Sequence, residues 1–272
     1  MPPNPSDIGL ESFARTVTGR VRVHNEDSLL SCPSLGLWAI ADGMGGHHRG
    51  EVASALAIQI LHDRLQQRGD LVQAIHAANQ AILDSAHQDP DSRGMGTTLV
   101  AVQFDAAHYR VAWIGDSRAY LLNAAGIHPL TKDHSWVQAM VDAGRLSESQ
   151  ALSHPKRNVI NQCLGQSTTP LDVGVAQGTL QPGERLLLCS DGLNRELSDA
   201  RMLQISLDCR HLEQLVSTLI DAANAMGGHD NISCAVIGRK PSRGLTGYAR
   251  RWLSRLFRGR PAHPLTRRNE SL

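Results

Sequence analysis

The sequence predicts an α+β layered fold built on antiparallel sheets. Its strand-like runs are short and follow one another in hairpin-like succession. Its helical patterns come in groups and do not alternate one-for-one with strands, as a doubly wound parallel sheet would require. Several strand-like runs also stop at a carboxylate, which gives the fold a chemically distinct end.

In chain order, strands are expected at 17–23, 37–41, 98–104, 109–114, 119–122, 185–190 and 232–238. Two helices fall between the second and third. One, over 51–67, sets Val52, Leu56 and Ile60 on one face beside Ala53, Ala57 and Leu61. The next, over 71–88, spaces Leu71, Ile75, Ala78 and Ile82 helically, and Asp70 with Gln73 reads as its capping box. Further helices are expected at 135–143 and at 211–226, where Leu212, Leu215, Leu219 and Ala223 recur at similar spacing. No internal repeat is visible.

A chain of 272 residues that is 41% hydrophobic can bury a sizeable core, and one domain is expected over 15–238, between an N-terminal arm at 1–14 and a tail at 239–272. No apolar run approaches the roughly 20 residues that span a bilayer. The opening MPPNPSDIGLESF lacks the charged-then-apolar order of a secretory signal, so a cytoplasmic location is expected. Five cysteines (Cys32, Cys163, Cys189, Cys209, Cys234) are scattered without a C-x-x-C pair, and free, mostly buried thiols are expected in preference to disulfides or zinc.

The formal charge of +1 hides an asymmetry. From Arg239 onward lie ten of the 27 Lys and Arg and one of the 26 acidic residues, so the body carries −8 and the tail +9. In the tail, Tyr248, Trp252, Leu253, Leu256 and Phe257 recur at helical spacing with Arg251, Arg255 and Arg258 mostly opposite. Residues 248–258 are expected to make weak contact with an anionic membrane surface, at the inner face of the membrane, or with a partner. A disordered, solvated tail is the competing expectation. Nucleic acid is not expected, because the acidic body would oppose it.

The chemistry is concentrated at the strand ends. Asp42 follows LWAIA, Asp116 follows RVAWIG, Asp191 follows RLLLCS, Asp230 precedes NISCAVIG, and Glu26-Asp27 follow GRVRVHN. Strands lying side by side would bring these acids to one edge, where repulsion is costly unless cations sit among them. Oxygen donors without a His/Cys set of zinc spacing favour Mg²⁺ or Mn²⁺. Asp42 runs straight into Gly43-Met44-Gly45-Gly46, and such glycines would let a backbone carbonyl, that of Gly43, reach an ion. Asp-Gly is also a common turn pair, so Asp42-Gly43 and Asp191-Gly192 taken singly could merely end strands. Their joint occurrence with particular neighbours decides the matter.

Those neighbours are VRVHNEDS, ADGMGGHHRGEVAS, MGTTLVA, WIGDSRAYLL, TKDHSWV, HPKRNVINQCLG, CSDGL and HDNISCAVI, in that order from about residue 15 to 236. Together they resemble the metal-dependent Ser/Thr protein phosphatases of type 2C, in their bacterial form. The resemblance implies a four-layer sandwich, two antiparallel sheets flanked by helices. It implies that Asp42 bridges two metal ions with the Gly43 carbonyl on one of them, that Asp191 and Asp230 complete a shell, and that Glu26 and Asp27 hold metal-bound waters. Asp116 matches the ligand of a third, weaker ion, and Arg22 the group that grips the substrate phosphate. The implied reaction is hydrolysis of phosphoserine and phosphothreonine on proteins by a water activated between two cations, opposing a bacterial Ser/Thr kinase. Residues 136–157 resemble a flap beside the site that contributes to substrate choice. Met44 stands where some members have a histidine proposed to protonate the leaving group, and the adjacent His47 and His48 are read as solvent-facing.

Overall fold

The computed structural model describes residues 9–45, 49–89, 92–166 and 170–240. Residues 9–240 lie within one compact unit, and the basic segment at 248–258 lies outside the described residues, as do His47 and His48. The strands are β1 (Leu10–Val17), β2 (Asp27–Cys32), β3 (Leu37–Met44), the two-residue β4 (Gly96–Thr97), β5 (Leu99–Asp105), β6 (His108–Ile114), β7 (Arg118–Asn123), β8 (Gly126–Pro129), β9 (Gly174–Thr179), β10 (Arg185–Cys189) and β11 (Ile232–Arg239). The helices are α1 (Arg49–Gln66), α2 (Leu71–Gln88), α3 (Trp136–Asp142), α4 (Glu148–Ser153), α5 (Asp191–Asn194), α6 (Asp199–Asp208) and α7 (Leu212–Met226).

Two antiparallel sheets result, ordered β1-β11-β10-β7-β8 and β2-β3-β5-β6-β9, with β4 paired to β3 off the second path. Side-chain alternation divides the core into three layers. From β3, Leu37, Ala39 and Ala41 pack under α1 and α2, whereas Trp38 and Ile40 face the other sheet. From β10, Leu187 and Cys189 pack under α6 and α7, whereas Leu186 and Leu188 face back across the sandwich. Strands buried on both faces read as unbroken apolar runs, which is why these were legible in the sequence. The expected four-layer sandwich is the fold observed.

Asp70 caps α2, accepting from the amides of Val72 (2.9 Å) and Gln73 (3.1 Å). Cys163, Cys189, Cys209 and Cys234 are buried and Cys32 is half-buried, all as free thiols.

Three expectations need correction. The strand expected at 17–23 is instead β1, ending at Val17. Val17 pairs with Ile232, the first residue of β11, so no partner strand continues beyond it, and Val21 and Val23 are 61% and 85% exposed. The N-terminal arm therefore does not extend through residue 14, because residues 10–14 are already paired with β11. Last, Asp42-Gly43 does not end a strand: Gly43 pairs with Thr97 and Met44 with Gly96, both within the ladder to β4.

Candidate metal centre

The carboxylates converge through strand register and loop anchoring. Asp27 opens β2 directly across from Asp42 on β3, so the ladder itself sets two acids side by side. The Asp42 backbone is fixed by Thr98, whose amide donates to its carbonyl at 2.9 Å, and by Thr97 Oγ1, which donates to the same oxygen at 2.9 Å. Asp116 sits between β6 and β7, after Gly115 at φ +100°. Asp191 opens α5 immediately after β10, and Asp230 lies in the approach to β11.

Both Asp-Gly pairs are places of close backbone approach. A Cβ on Gly43 would strike the carbonyl of Gly50 in α1 and stand 2.6 Å from the Glu26 carbonyl oxygen, to which the Gly43 amide donates at 3.1 Å. A Cβ on Gly192 would strike the Asn231 carbonyl. Glycine at these positions lets α1 and the loop before β11 close on the acids.

Residues 18–26 leave the sheet and arc over the site. Asn231 ties them down: its Nδ2 donates to the carbonyls of Thr18 (3.0 Å) and His24 (2.8 Å), and its Oδ1 accepts from the Glu26 amide (2.8 Å). Arg22, carried on this arc, pairs both its Nε and Nη2 with the two oxygens of Asp230, each at 2.9 Å. The fork-to-fork geometry is the one a guanidinium also offers a phosphate.

Burial pushes the Asp42 carboxyl well above the usual range, and the charges of Asp27, Asp191, Asp116 and Asp230 push it further. Burial raises Asp191 to about 8, with Asp116 adding to the shift and Arg195 opposing it. Asp27 is raised to about 6 by burial, against hydrogen bonds from Ser233 and Ser190. Those bonds reach only one of its oxygens: Oδ2 accepts from Ser190 (2.8 Å) and Ser233 (2.6 Å). Asp27 Oδ1 and Asp191 Oδ1 are buried without a hydrogen-bond partner. Orphaned, crowded carboxylate oxygens fit a hard divalent cation, which takes such donors. Among the described residues no three His, Cys, Asp or Glu side chains stand as a closed ligand set, and arginines hold three of the acids: Arg22 on Asp230, and Arg195 on Asp191 and Asp116.

Beside the acids opens a cleft of about 1000 Å³, walled by Arg22, Asp116 and Asp230 on one side and by Leu152 and Arg157 on the other. The far wall is built by α3 and α4, the latter closed by a reciprocal Ser147–Gln150 capping box. Trp136 stacks on His154 at 4.9 Å between centroids, and Lys156 Nζ lies 4.8 Å from the Trp136 ring centroid.

The sequence profile of the family described as Protein phosphatase 2C matches residues 20–230. The chain belongs to the protein phosphatase 2C family. It is 40% identical over 234 residues to the serine/threonine protein phosphatase PstP of Mycobacterium tuberculosis, covering 84% of this chain but 44% of that relative. It thus spans less than half of PstP. With the serine/threonine phosphatase stp of Listeria innocua the identity is 36% over 239 residues, covering 83% of this chain and 94% of the relative. A crystal structure of the PstP catalytic domain in complex with two manganese ions superposes with a TM-score of 0.75 at 36% identity, covering 84% of this chain and 97% of that one.

Within this protein phosphatase 2C fold, sequence reasoning missed Asn231, Arg195 and the serine pair Ser190 and Ser233. Arg195 had a readable signal: it lies four residues after Asp191, a distance that places two side chains on one face if a helix starts at the aspartate. Asn231 had none, since its three partners are backbone groups roughly 200 residues away in sequence.

Proposed function

We propose that this protein is a Mn²⁺- or Mg²⁺-dependent serine/threonine protein phosphatase that opposes a bacterial Ser/Thr kinase. The observation that carries the reading is the crowding of Asp27, Asp116, Asp191 and Asp230 around Asp42, with two buried carboxylate oxygens left without partners. Asp42, the Gly43 carbonyl, Asp191 and Asp230 would hold two ions, with Glu26 and Asp27 acting on them through waters. Asp116, which the resemblance assigns to a third, weaker ion, is held here by Arg195 at 3.1 Å. When bound, such a pair of ions supplies an activated water and neutralises charge in an in-line displacement at phosphorus.

The chain's own residues do the rest. Arg22 binds the substrate phosphate with the two donors it now spends on Asp230, and its place on an arc anchored by Asn231 holds that fork at the rim of the cleft. Met44 has no proton to give, so the leaving serine or threonine oxygen takes its proton from water. Residues 136–157 form the opposite wall and select the peptide around the phosphorylated residue. The PstP structure with two manganese ions and the name of the Listeria innocua relative support this reading.

The test is hydrolysis of a phosphothreonine peptide beside a nucleotide and a sugar phosphate, each with Mn²⁺ and with a chelator. Peptide hydrolysis that chelation abolishes is expected. Turnover confined to the small phosphates would move the assignment to a metabolite phosphohydrolase.

The basic segment 248–258 is proposed as a weak contact for an anionic membrane or a partner, on its sequence pattern alone. Anionic vesicles should co-sediment more of the full-length protein than of a version ending at Lys240. Equal sedimentation would remove the membrane contact.

A further inference from the structure

Arg195 is a cation placed where the metal centre meets the cleft. It follows the last residue of α5, and its Nη2 engages Asp191 Oδ2 and, at 3.1 Å, Asp116 Oδ2. The contact to Asp191 is the ordinary pairing of positions four apart on a helix. The contact to Asp116, 79 residues away, is not: it needs the β6–β7 turn and the start of α5 to stand together with the guanidinium between them. Arg118, which also lines the cleft, is committed elsewhere, through paired 2.7 Å bonds to Asp133. Arg195 is thus the guanidinium shared between Asp116 and Asp191, while Asp191 Oδ1 remains without a partner on the buried side.

We propose that Arg195 is a resident cation that takes the place of a third divalent ion between Asp116 and Asp191, so that this chain holds a two-ion centre. The inference rests on the two-ion reading above and specifies its stoichiometry. A divalent ion would sit about 2.0–2.6 Å from carboxylate oxygens. An ion there would use the two oxygens that Nη2 already contacts, and it would meet a like charge. Arg195 and a third ion therefore exclude each other. The guanidinium does not titrate in the working range, so the charge it supplies does not depend on free metal. Its neighbour Glu196 turns away, holding the ring Nδ1 of His229 at 2.7 Å, so the pair spreads from the same corner of the cleft without competing for the same acids.

The test is equilibrium dialysis of the full-length protein against Mn²⁺, with bound metal counted per folded chain. The wild type should retain two ions. Arg195→Leu should retain three, with the added site bound roughly tenfold or more tighter than any third ion in the wild type. Arg195→Leu combined with Asp116→Asn should return to two. In chelator, Arg195→Leu should melt below the wild type, because Asp116 and Asp191 lose their shared counter-charge. A wild-type count of three, or an Arg195→Leu count that stays at two, overturns the inference. The wild-type count alone can overturn it even if the leucine variant does not fold, and Arg195→Gln then serves as the second variant. A wild-type count of zero would instead overturn the two-ion reading itself and this inference with it.

Discussion

Asp191 is the residue on which burial, charge and function meet most sharply. Its carboxyl is pushed up to about 8 and that of Asp27 to about 6, both chiefly by burial, from an ordinary value of 3.8. A raised carboxyl pKa means that the folded, metal-free protein prefers the neutral acid. The stability it contributes is present below the unfolded value and is lost as pH rises through about 6 and then about 8. The melting temperature in chelator should therefore fall between about pH 5 and pH 9, and Mn²⁺ should raise it most at the alkaline end. Asp191→Asn should flatten the upper part of that fall. A melting temperature in chelator that climbs steadily with pH would contradict the assignment. Asp42, Asp116, Asp191 and Asp230 were legible because each adjoins a loud apolar run, whereas Glu26 and Asp27 follow residues that leave the sheet. Asn231, which anchors the segment carrying Arg22, was not legible, because its partners come from distant parts of the chain.

At the scale of elements, the site depends on how closely helix and strand backbones approach. Gly43 in β3 is the sharpest case, since α1 passes at Gly50 where a side chain would stand. Gly43→Ala should cost about 1–3 kcal/mol. That corresponds to a fall of about 2–12 °C in melting temperature for a body of this size. Phosphatase activity should drop with it, because β3, α1 and the Glu26 carbonyl must all shift. Thermal melting with a parallel rate assay checks this, and an unchanged Tm would show that α1 does not press on Gly43. Legibility at this scale followed burial. The runs in β3, β5, β6, β10 and β11 announced themselves through faces buried on both sides. β9, GVAQGT, did not, because its register sets Gly174 opposite Trp113 and Gly178 opposite Tyr109, whose rings lie where glycine side chains are missing. β2 was hidden for another reason: its residues DSLLSC alternate too weakly to mark a strand, and its pairing is fixed by β3 across the ladder.

For the whole molecule, two sheets back to back bring the starts and ends of β2, β3, β10 and β11 to one edge, and the acids there repel one another until cations arrive. The grouping of helices apart from strands foretold this layering, and the order of motifs foretold the family. What the order of motifs could not convey is that arginines fill the acid cluster from both sides, Arg22 from the arc over the site and Arg195 from α5. The most direct measurement is the rate of phosphothreonine-peptide hydrolysis by the wild type and by Asp191→Asn at saturating Mn²⁺. For a metal-dependent phosphatase centre at this edge, turnover by the wild type and a loss of about a hundredfold or more in the variant are expected, the scale of the several kcal/mol that metal ions contribute to such reactions. Equal rates, or no turnover by a folded wild type carrying Mn²⁺, would contradict that assignment.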